Sequence, residues 1–319
     1  MNSADTIQEI GALLASASRI LVVSHIRPDY DAIGSVMGLT LALRESGKEV
    51  YPVLSDGVPS NLMFIPGSNQ IEKKASYPVD LIVVLDCSDT LRIGDALNGQ
   101  KPNINIDHHK TNLQFATLNL VEPDEVATAA ILAKYLPDWG LAISPAVASA
   151  LLVGIIGDTI GFRTSNMTSQ ALRLSANLME QGANLPVLYQ RTLNTRSFEA
   201  ASYWGYGLGR LEREGRLVWT SLTLEDRKNS GYSGNDDADL INILTTIKDC
   251  DVAVIFVEQK NGKVKVSWRS EPGYDVSTIA VKFGGGGHAA ASGAEITGSL
   301  EEVKSMVIQV TQELFYLPE

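Results

Sequence analysis

Residues 20–43, ILVVSHIRPDYDAIGSVMGLTLAL, predict a strand, a short polar loop and a helix in direct succession. The run 20–25 is almost continuously apolar until it reaches its final serine and histidine, as expected of a strand covered on both faces. Apolar residues then recur at helical spacing from Ile33 to Leu43, and Gly47 is placed to cap the helix. This stretch therefore predicts the beginning of an α/β fold.

The alternation of strand and helix continues through the first half of the chain. It predicts a parallel, doubly wound sheet, and in such sheets ligands bind beyond the carboxyl ends of the strands. Pro52 indicates that its strand lies at an edge of the sheet. The other predicted strands are EVYPVLSD (49–56), DLIVVLDCSD (80–89) and NINIDHH (103–109), and the other predicted helices are 6–18, 123–136 and 144–159.

The pattern changes in the second half. Residues 169–213 are mostly helical in pattern, whereas 216–224 and 252–270 are rich in β-formers, with an Asn-Gly hairpin signal inside the second run. We therefore predict an α/β protein in which an N-terminal doubly wound parallel-sheet domain is joined by a helical linker to a smaller α/β domain with a mixed sheet. The predicted limits are 1–185, 186–204 for the linker, and 205–319.

Composition restricts the classes of partner. The chain has 319 residues, 45% of them hydrophobic, and a net charge of −11, which disfavours stable binding of long nucleic acids. Its apolar runs are shorter than the roughly 18 residues of a membrane span, and its N-terminal segment lacks the basic region of a secretory signal. With only two, widely separated cysteines, the expected compartment is the cytoplasm.

Acidic and imidazole side chains gather in four short segments. HIRPDYDAIGS holds His25, Asp29 and Asp31, and a helix cap would account for only one of the two aspartates. Asp86 ends an apolar strand, where an unpaired carboxylate is costly; a turn with Ser88 is the alternative. The other two segments are IDHHKTN, which holds Asp107, His108 and His109, and GIIGDTIGFRT, which holds Asp158, where a simple turn residue is again the alternative.

These residues predict a two-metal centre. Carboxylate and imidazole ligands without thiolate suit Mn²⁺ or similar ions rather than structural zinc, and several carboxylates require more than one dication. Because adjacent side chains on a strand point to opposite faces, we expect one of His108 and His109 to bind metal and the other to face substrate. Asp107 is expected to hold an imidazole in its working tautomer. Two-metal sites are suited to hydrolysis of phosphoesters.

A glycine-rich segment, FGGGGHAAASGAEI (283–296), is the other candidate for binding. Four glycines and His288 precede a small-residue stretch with a helix-like pattern, and backbone N–H groups at a helix start can hold a phosphate. A flexible loop is the alternative. Upstream, SWRS places Arg269 at the end of a strand, where a guanidinium can grip a phosphate in bidentate fashion.

In this order, the motifs HIRPDYDAIGS, LDCSD, IDHHKTN, GDTIGFRT, SWRS and GGGGH resemble the DHH phosphoesterases, in the short branch with a DHH-associated C-terminal domain. That branch includes bacterial nano-RNases that also dephosphorylate 3′-phosphoadenosine 5′-phosphate. The resemblance makes 1–185 the metal-binding catalytic domain and 205–319 the substrate-binding domain.

The resemblance also implies a role for each residue. His25 and Asp29 would bind one metal, Asp31, His108 and Asp158 the second, and Asp86 would bridge both. Asp107 would act beside the metals and His109 would face the scissile phosphate. The residues expected to bind substrate are Arg163, Arg269, Gly285, Gly286, Gly287 and His288.

The implied activity is hydrolysis of short oligonucleotides, linear dinucleotides or 3′-phosphoadenosine 5′-phosphate with two Mn²⁺ ions, Mg²⁺ or Co²⁺ being the alternatives. An inorganic pyrophosphatase or polyphosphatase and a non-catalytic nucleotide sensor are the competing hypotheses. No membrane partner is expected, and a homodimer is left open. Tyr30 and Thr164 depart from the family pattern, since relatives usually have a small residue at the first position and often an aromatic one at the second, so substrate preference is open.

Overall fold

The computed structural model describes residues 3–74 and 78–315. The chain divides into two compact units, Met1–Thr195 and Arg196–Glu319. The division falls within the predicted linker, 186–204, and the predicted domain limits themselves stay a prediction.

The first unit is built on a five-stranded sheet in the order β2-β1-β3-β4-β5, and every neighbouring pair is parallel. Alternate residues of β1 pack into two different hydrophobic clusters, so the sheet is buried on both faces. β2 contains Pro52 and lies at an edge, as predicted. The strands are β1 (Arg19–Val23), β2 (Glu49–Val53), β3 (Leu81–Leu85), β4 (Ile104–Asp107) and β5 (Leu118–Val121).

Helices cover one face of this sheet, and the 3-10 segment Thr90–Leu97 packs on the other. The helix predicted after the first strand is confirmed, and Gly47 follows its end with a φ of 89°. The helix predicted over 123–136 begins later than expected, at Thr128. The helices are α1 (Ser3–Ser16), α2 (Tyr30–Glu45), α3 (Thr128–Tyr135), α4 (Pro145–Asp158), α5 (Ser169–Glu180) and α6 (Leu185–Leu193).

Two glycines allow α2 and α4 to approach each other closely. A Cβ atom added to Gly34 would lie 2.6 Å from the carbonyl oxygen of Ala150 and 2.9 Å from the backbone nitrogen of Gly154. A Cβ on Gly154 would in turn lie 2.8 Å from Oδ1 of Asp31. The absence of side chains at these two positions therefore brings the start of α2, with Asp31, against α4.

The second unit contains a six-stranded sheet in the order β10-β11-β9-β8-β7-β6, in which only β7 and β8 pair in parallel. This is the predicted mixed sheet. The strands are β6 (Glu212–Glu214), β7 (Leu217–Leu222), β8 (Val252–Glu258), β9 (Lys263–Ser270), β10 (Gly286–His288) and β11 (Ala291–Thr297). The helices are α7 (Phe198–Leu208), α8 (Leu224–Ser230), α9 (Leu240–Leu244), α10 (Ser277–Lys282) and α11 (Leu300–Gln312).

The two glycine signals of the second unit had different outcomes. The predicted hairpin is confirmed: Gln259 N donates to Lys263 O at 2.8 Å, and Gly262 has a φ of 71°. The prediction that the glycine run opens a helix is wrong, because Gly286–His288 forms β10 and pairs antiparallel with β11. Small side chains allow the two strands of this hairpin to pair closely. The same small residues gave the sequence a helix-like pattern.

Replacing Gly34 with alanine is expected to separate α2 from α4 and to destabilise the first unit. The new methyl group must displace backbone atoms rather than a flexible side chain, and overpacking of this kind costs about 1–3 kcal/mol. Denaturant unfolding of Gly34→Ala measures the loss. Gly205→Ala is the control, because its added Cβ in α7 has no described atom within 4 Å apart from the neighbouring backbone of its own helix; a similar loss in both variants would contradict the packing argument.

Candidate metal centre

His25, Asp29 and Asp86 meet beyond the carboxyl ends of β1 and β3. His25 is buried, with only 2% of its surface exposed, and its Nδ1 lies 2.8 Å from the carbonyl oxygen of Ile26. That contact favours the tautomer with hydrogen on Nδ1. Its Nε2 then faces the carboxylates, 3.5 Å from Oδ2 of Asp86 and 3.9 Å from Oδ2 of Asp29.

Asp29 is both a helix cap and a member of this group. Its Oδ1 accepts hydrogen bonds from the backbone N–H groups of Asp31, at 3.1 Å, and Ala32, at 3.0 Å, at the start of α2. Its other oxygen is the one that faces His25. The cap and the metal-ligand interpretations therefore use different atoms of one side chain, and they are compatible.

Asp31 is held by the first amides of another helix. Its Oδ2 accepts from Thr128 N at 2.7 Å and its Oδ1 from Ala129 N at 2.9 Å, and Ser35 donates to Oδ1 at 3.1 Å. These bonds satisfy two of the N–H groups that the first turn of α3 leaves without an intrahelical partner. They also explain why α3 begins at Thr128 and not at 123.

Asp86 follows β3 with a φ of 52°, in the left-handed region that aspartate enters more readily than most residues. Only 2% of its surface is exposed. Its Oδ1 accepts a hydrogen bond from Thr128 Oγ1 at 3.1 Å, whereas the alternative turn would have used Ser88. The backbone turn therefore directs the Asp86 carboxylate inward, toward the histidines.

His108 and His109 both lie beyond the end of β4, at Asp107. The two side chains therefore do not alternate along a strand as predicted. Asp86 Oδ1 is 3.7 Å from Nε2 of His108 and also 3.7 Å from Nδ1 of His109. Their other contacts differ. His108 Nε2 is 3.6 Å from Asp158 Oδ2, whereas His109 Nδ1 is 2.7 Å from Asp107 Oδ1.

The six candidate ligands form two neighbouring groups of three residues. His25, Asp29 and Asp86 are one group, and Asp31, His108 and Asp158 are the other; within each group the donor atoms lie within 4.8 Å of one another. Asp86 reaches both groups, since Oδ2 faces His25 and Oδ1 faces His108. A third group joins Asp86 to both adjacent histidines.

The pKa values of these carboxylates reflect how closely they are crowded together. Burial, with repulsion from Asp86 and Asp158, raises the pKa of Asp31 well above its usual range. Burial also raises the pKa of Asp158 to about 7, although His108 opposes the change. Asp86 behaves in the opposite way: burial favours its neutral form, but the bond to His25 and the neighbouring imidazoles outweigh it and lower its pKa.

The pKa values of the histidines shift in the sense that complements these acids. Burial alone would lower them, but Asp86 and Asp29 raise the pKa of His25, Asp158 and Asp86 raise that of His108, and Asp107 raises that of His109. The neighbouring carboxylates therefore favour the protonated form of all three imidazoles. Oxygen and imidazole donors with this excess of negative charge fit divalent cations.

The second unit contains the other predicted substrate contacts. β11 pairs with both of its neighbours through Ala291, which is opposite Arg269 of β9 on one side and His288 of β10 on the other. Directly paired residues project from the same face of a sheet, so the Arg269 and His288 side chains share a face. Burial lowers the pKa of Arg269, and the carboxylates of Asp237 and Asp239 oppose that shift.

The glycines before His288 permit close pairing of the strands. A Cβ on Gly285 would lie 2.2 Å from the carbonyl oxygen of Gly293. Gly287 has a φ of 143°, and a Cβ there would lie 2.5 Å from the Ala291 oxygen. Glycine is therefore required at these two positions for steric reasons, and not because a helix begins there as predicted. Gly286, in contrast, has open space around it.

Arg163 and the two residues that depart from the family pattern lie near the end of α4. Arg163 is exposed in the loop that follows Asp158. The ring of Tyr30 packs on Gly157, where an added Cβ would lie 2.3 Å from the Tyr30 Cβ. Thr164 has a buried hydroxyl with no hydrogen-bond partner among the described residues.

Three residues that were not predicted hold the acids of the centre in place. Thr128 bonds Asp31 and Asp86, Ser35 bonds Asp31, and Asn112 donates to Asp107 Oδ2 at 2.6 Å. Asn112 was visible in the motif IDHHKTN. Thr128 carried no signal, because its role depends on the packing of α3 against α2. Ser35 is four residues after Asp31 on α2, a spacing that places the two side chains on one face of the helix.

In the part of the chain that the structure describes, no helix has the length and apolar character needed to cross a membrane.

Comparison with known proteins identifies both halves of the chain. Residues 19–155 match the DHH family N-terminal domain, and residues 222–314 match the DHHA1 domain. A Thermus thermophilus protein named bifunctional oligoribonuclease and PAP phosphatase NrnA is 34% identical over 313 residues, covering 94% of this chain and 91% of the relative. A Bacillus subtilis protein of the same name is 27% identical over 287 residues, covering 87% and 89%.

A solved structure is also similar. The crystal structure of an exopolyphosphatase-related protein from Bacteroides fragilis has a TM-score of 0.91 and 26% identity, and the match covers 97% of this chain and 96% of the other. The order of motifs, the two domain matches and the 34% identity over nearly the whole chain lead to one conclusion: this chain belongs to the DHH family.

Proposed function

We propose that this protein is a metal-dependent phosphoesterase that hydrolyses short oligonucleotides, including linear dinucleotides, and 3′-phosphoadenosine 5′-phosphate. The observation that carries the proposal is the meeting of two ligand groups at Asp86. The DHH family is metal-dependent, and two of its members similar to this chain are named as oligoribonuclease and PAP phosphatase. Their names supply the substrate class of the proposal.

Two Mn²⁺ ions are the proposed cofactors, with Mg²⁺ or Co²⁺ as alternatives. His25 and Asp29 would hold one ion, Asp31, His108 and Asp158 the other, and Asp86 both. When bound, two such ions activate an attacking water and neutralise charge on the phosphoryl oxygens. Thr128 and Ser35 keep the acids in place through the bonds already described.

His109 is the proposed group that acts on the scissile phosphate. Asp107 Oδ1 accepts from its Nδ1 at 2.7 Å, so an ionised Asp107 selects the tautomer and supports a positive charge on the ring. An imidazolium donates hydrogen bonds to phosphoryl oxygens more strongly than a neutral ring does. Asp107 thereby acts through His109, and we propose the two as the catalytic pair.

Arg269, Gly285–His288 and Arg163 are the proposed contacts to the rest of the substrate. Arg269 and His288 project from one face of the second unit's sheet. Guanidinium and imidazolium groups bind phosphate oxygens with charge-assisted hydrogen bonds. A nucleotide with a second phosphate group would make use of such contacts.

The predicted domain limits, a homodimeric assembly and a cytoplasmic location complete the proposal. Light scattering of the purified protein gives the mass of the assembly directly. The proposed limits are 1–185, 186–204 and 205–319.

A substrate panel tests the proposed function. We expect Mn²⁺-dependent release of mononucleotides from RNA of two to about five residues and release of phosphate from 3′-phosphoadenosine 5′-phosphate. Rates should fall for longer strands, because a chain of charge −11 gains little from extended phosphate contact. Faster hydrolysis of pyrophosphate or polyphosphate than of any nucleotide would favour the inorganic alternative, and inactivity on the whole panel would favour the sensor.

Asp86→Asn should abolish turnover without unfolding the protein. The variant loses the charge shared by both ligand groups, but its amide oxygen can still accept from Thr128. We expect kcat to fall by a factor of at least about 100, while the unfolding midpoint in chelator changes by less than about 5 °C. Near wild-type rates in saturating Mn²⁺ would rule out Asp86 as the bridge. Asp138→Asn, at an exposed acid, is the control.

Arg269→Ala should lower kcat/KM for nucleotides by a factor of about 10–100, as expected for loss of a charge-assisted phosphate contact. The Mn²⁺ concentration for half-maximal activity should stay the same, because Arg269 is not among the proposed ligands. Lys263→Ala changes a cation at the other end of the same strand, in an exposed pair with Glu295, and should have little effect. Equal kinetics for wild type and Arg269→Ala on every nucleotide would remove Arg269 from the site.

A further inference from the structure

Asn112 contacts the Asp107–His109 pair at the carboxylate oxygen of Asp107 that the imidazole does not use. Its Nδ2 lies 2.6 Å from Asp107 Oδ2, in the loop that follows β4. The loop is held there by two further bonds: Asn112 N donates to His109 O at 3.2 Å, and Gln114 N donates to Asn112 Oδ1 at 2.7 Å.

The orientation of the Asn112 amide follows from these partners. Gln114 N–H requires an acceptor, which must be Oδ1, so the NH₂ group is the end that faces Asp107. Nδ2 also lies 2.7 Å from Asn105 Oδ1 and 3.2 Å from Cys87 O. Asn105 is completely buried and donates to Cys87 O at 3.2 Å, so it too presents its oxygen toward Asn112.

Asp107 receives donors on both oxygens. Its Oδ1 accepts from His108 N at 2.8 Å, from His109 N at 3.3 Å and from His109 Nδ1 at 2.7 Å. Its Oδ2 accepts from Asn112. The side chain is fully buried, so loss of the Asn112 amide would leave a carboxylate oxygen without that donor, at a cost that rotation of the carboxylate could relieve. Rotation would break the bond to His109.

We propose that Asn112 is a positioning residue that acts on the reaction through Asp107 and His109. It holds the Asp107 carboxylate in the one orientation in which Oδ1 accepts from the imidazole. The role in turnover rests on the proposed phosphoesterase function, whereas the effect on the His109 ring does not depend on it.

Steady-state kinetics of Asn112→Ala test the role in turnover. We expect kcat to fall by a factor of about 10–100, as for other outer partners of metal-site groups, with KM and the Mn²⁺ requirement changed less than about twofold. Asn119→Ala is the matched control, because among the described residues this amide on β5 bonds the backbone of Ala116 alone; its kinetics should equal those of wild type.

A double-mutant cycle with His109→Ala separates positioning from a general structural effect. His109→Ala alone should lose a factor of about 100 or more. If Asn112 acts through His109, adding Asn112→Ala to that variant should cost less than about twofold more. An equal loss in both backgrounds would overturn the proposal.

NMR of the Mg²⁺-loaded, ¹⁵N-histidine-labelled protein provides a readout without turnover. The Nδ1–H signal of His109 is identified by its loss in His109→Ala. It should disappear or shift upfield in Asn112→Ala and in the smaller change Asn112→Ser, and stay in Asn119→Ala. An unchanged signal in a folded Asn112 variant would overturn the inference. If wild type is inactive on the substrate panel, the proposed function fails, and this spectrum still decides the positioning.

Discussion

The candidate centre depends on the bonds between the Asp31 carboxylate and the first amides of α3. Asp31 belongs to α2, so these bonds join the start of one helix to the start of another. The close passage of Gly34 and Gly154 then brings α4 to the same place. Because α4 ends at Asp158, this packing delivers another carboxylate beside the loops that follow β1, β3 and β4.

Charge is the second constraint on the centre, and the Asp86 carboxylate lies in the middle of the charged side chains. The imidazoles of His25, His108 and His109 surround its carboxylate within 3.7 Å and lower its pKa despite burial. At Asp31 and Asp158, burial and like charge outweigh the opposing effect of His108 and raise their pKa values. The fold thus places more carboxylate charge in the centre than its own cationic side chains can neutralise. Divalent ions are the ligands that would remove this imbalance.

In both units, glycine residues allow two backbone segments to approach each other closely. In the first unit Gly34 and Gly154 allow two helices to touch, and in the second Gly285 and Gly287 allow β10 to lie against β11. The hairpin sets Arg269 and His288 on one face of the sheet through their common partner Ala291. The glycine run therefore serves the placement of side chains, and not a helix start that presents bare N–H groups.

The sequence by itself determined the parallel first sheet, the mixed second sheet and the convergence of acids and histidines, because these depend on local periodicity and on where strands end. Tertiary structure decided the features that local sequence patterns do not encode. The start of α3 is set by Asp31, almost a hundred residues away in the chain. The glycine run became a hairpin because β9 offers β11 an edge to pair with. Thr128 entered the site through contacts that exist only when distant segments pack together, so no spacing in the sequence could reveal which atoms it holds. Asn112 follows Asp107 in the same motif, but only the folded loop shows that its amide bonds Oδ2 of that carboxylate.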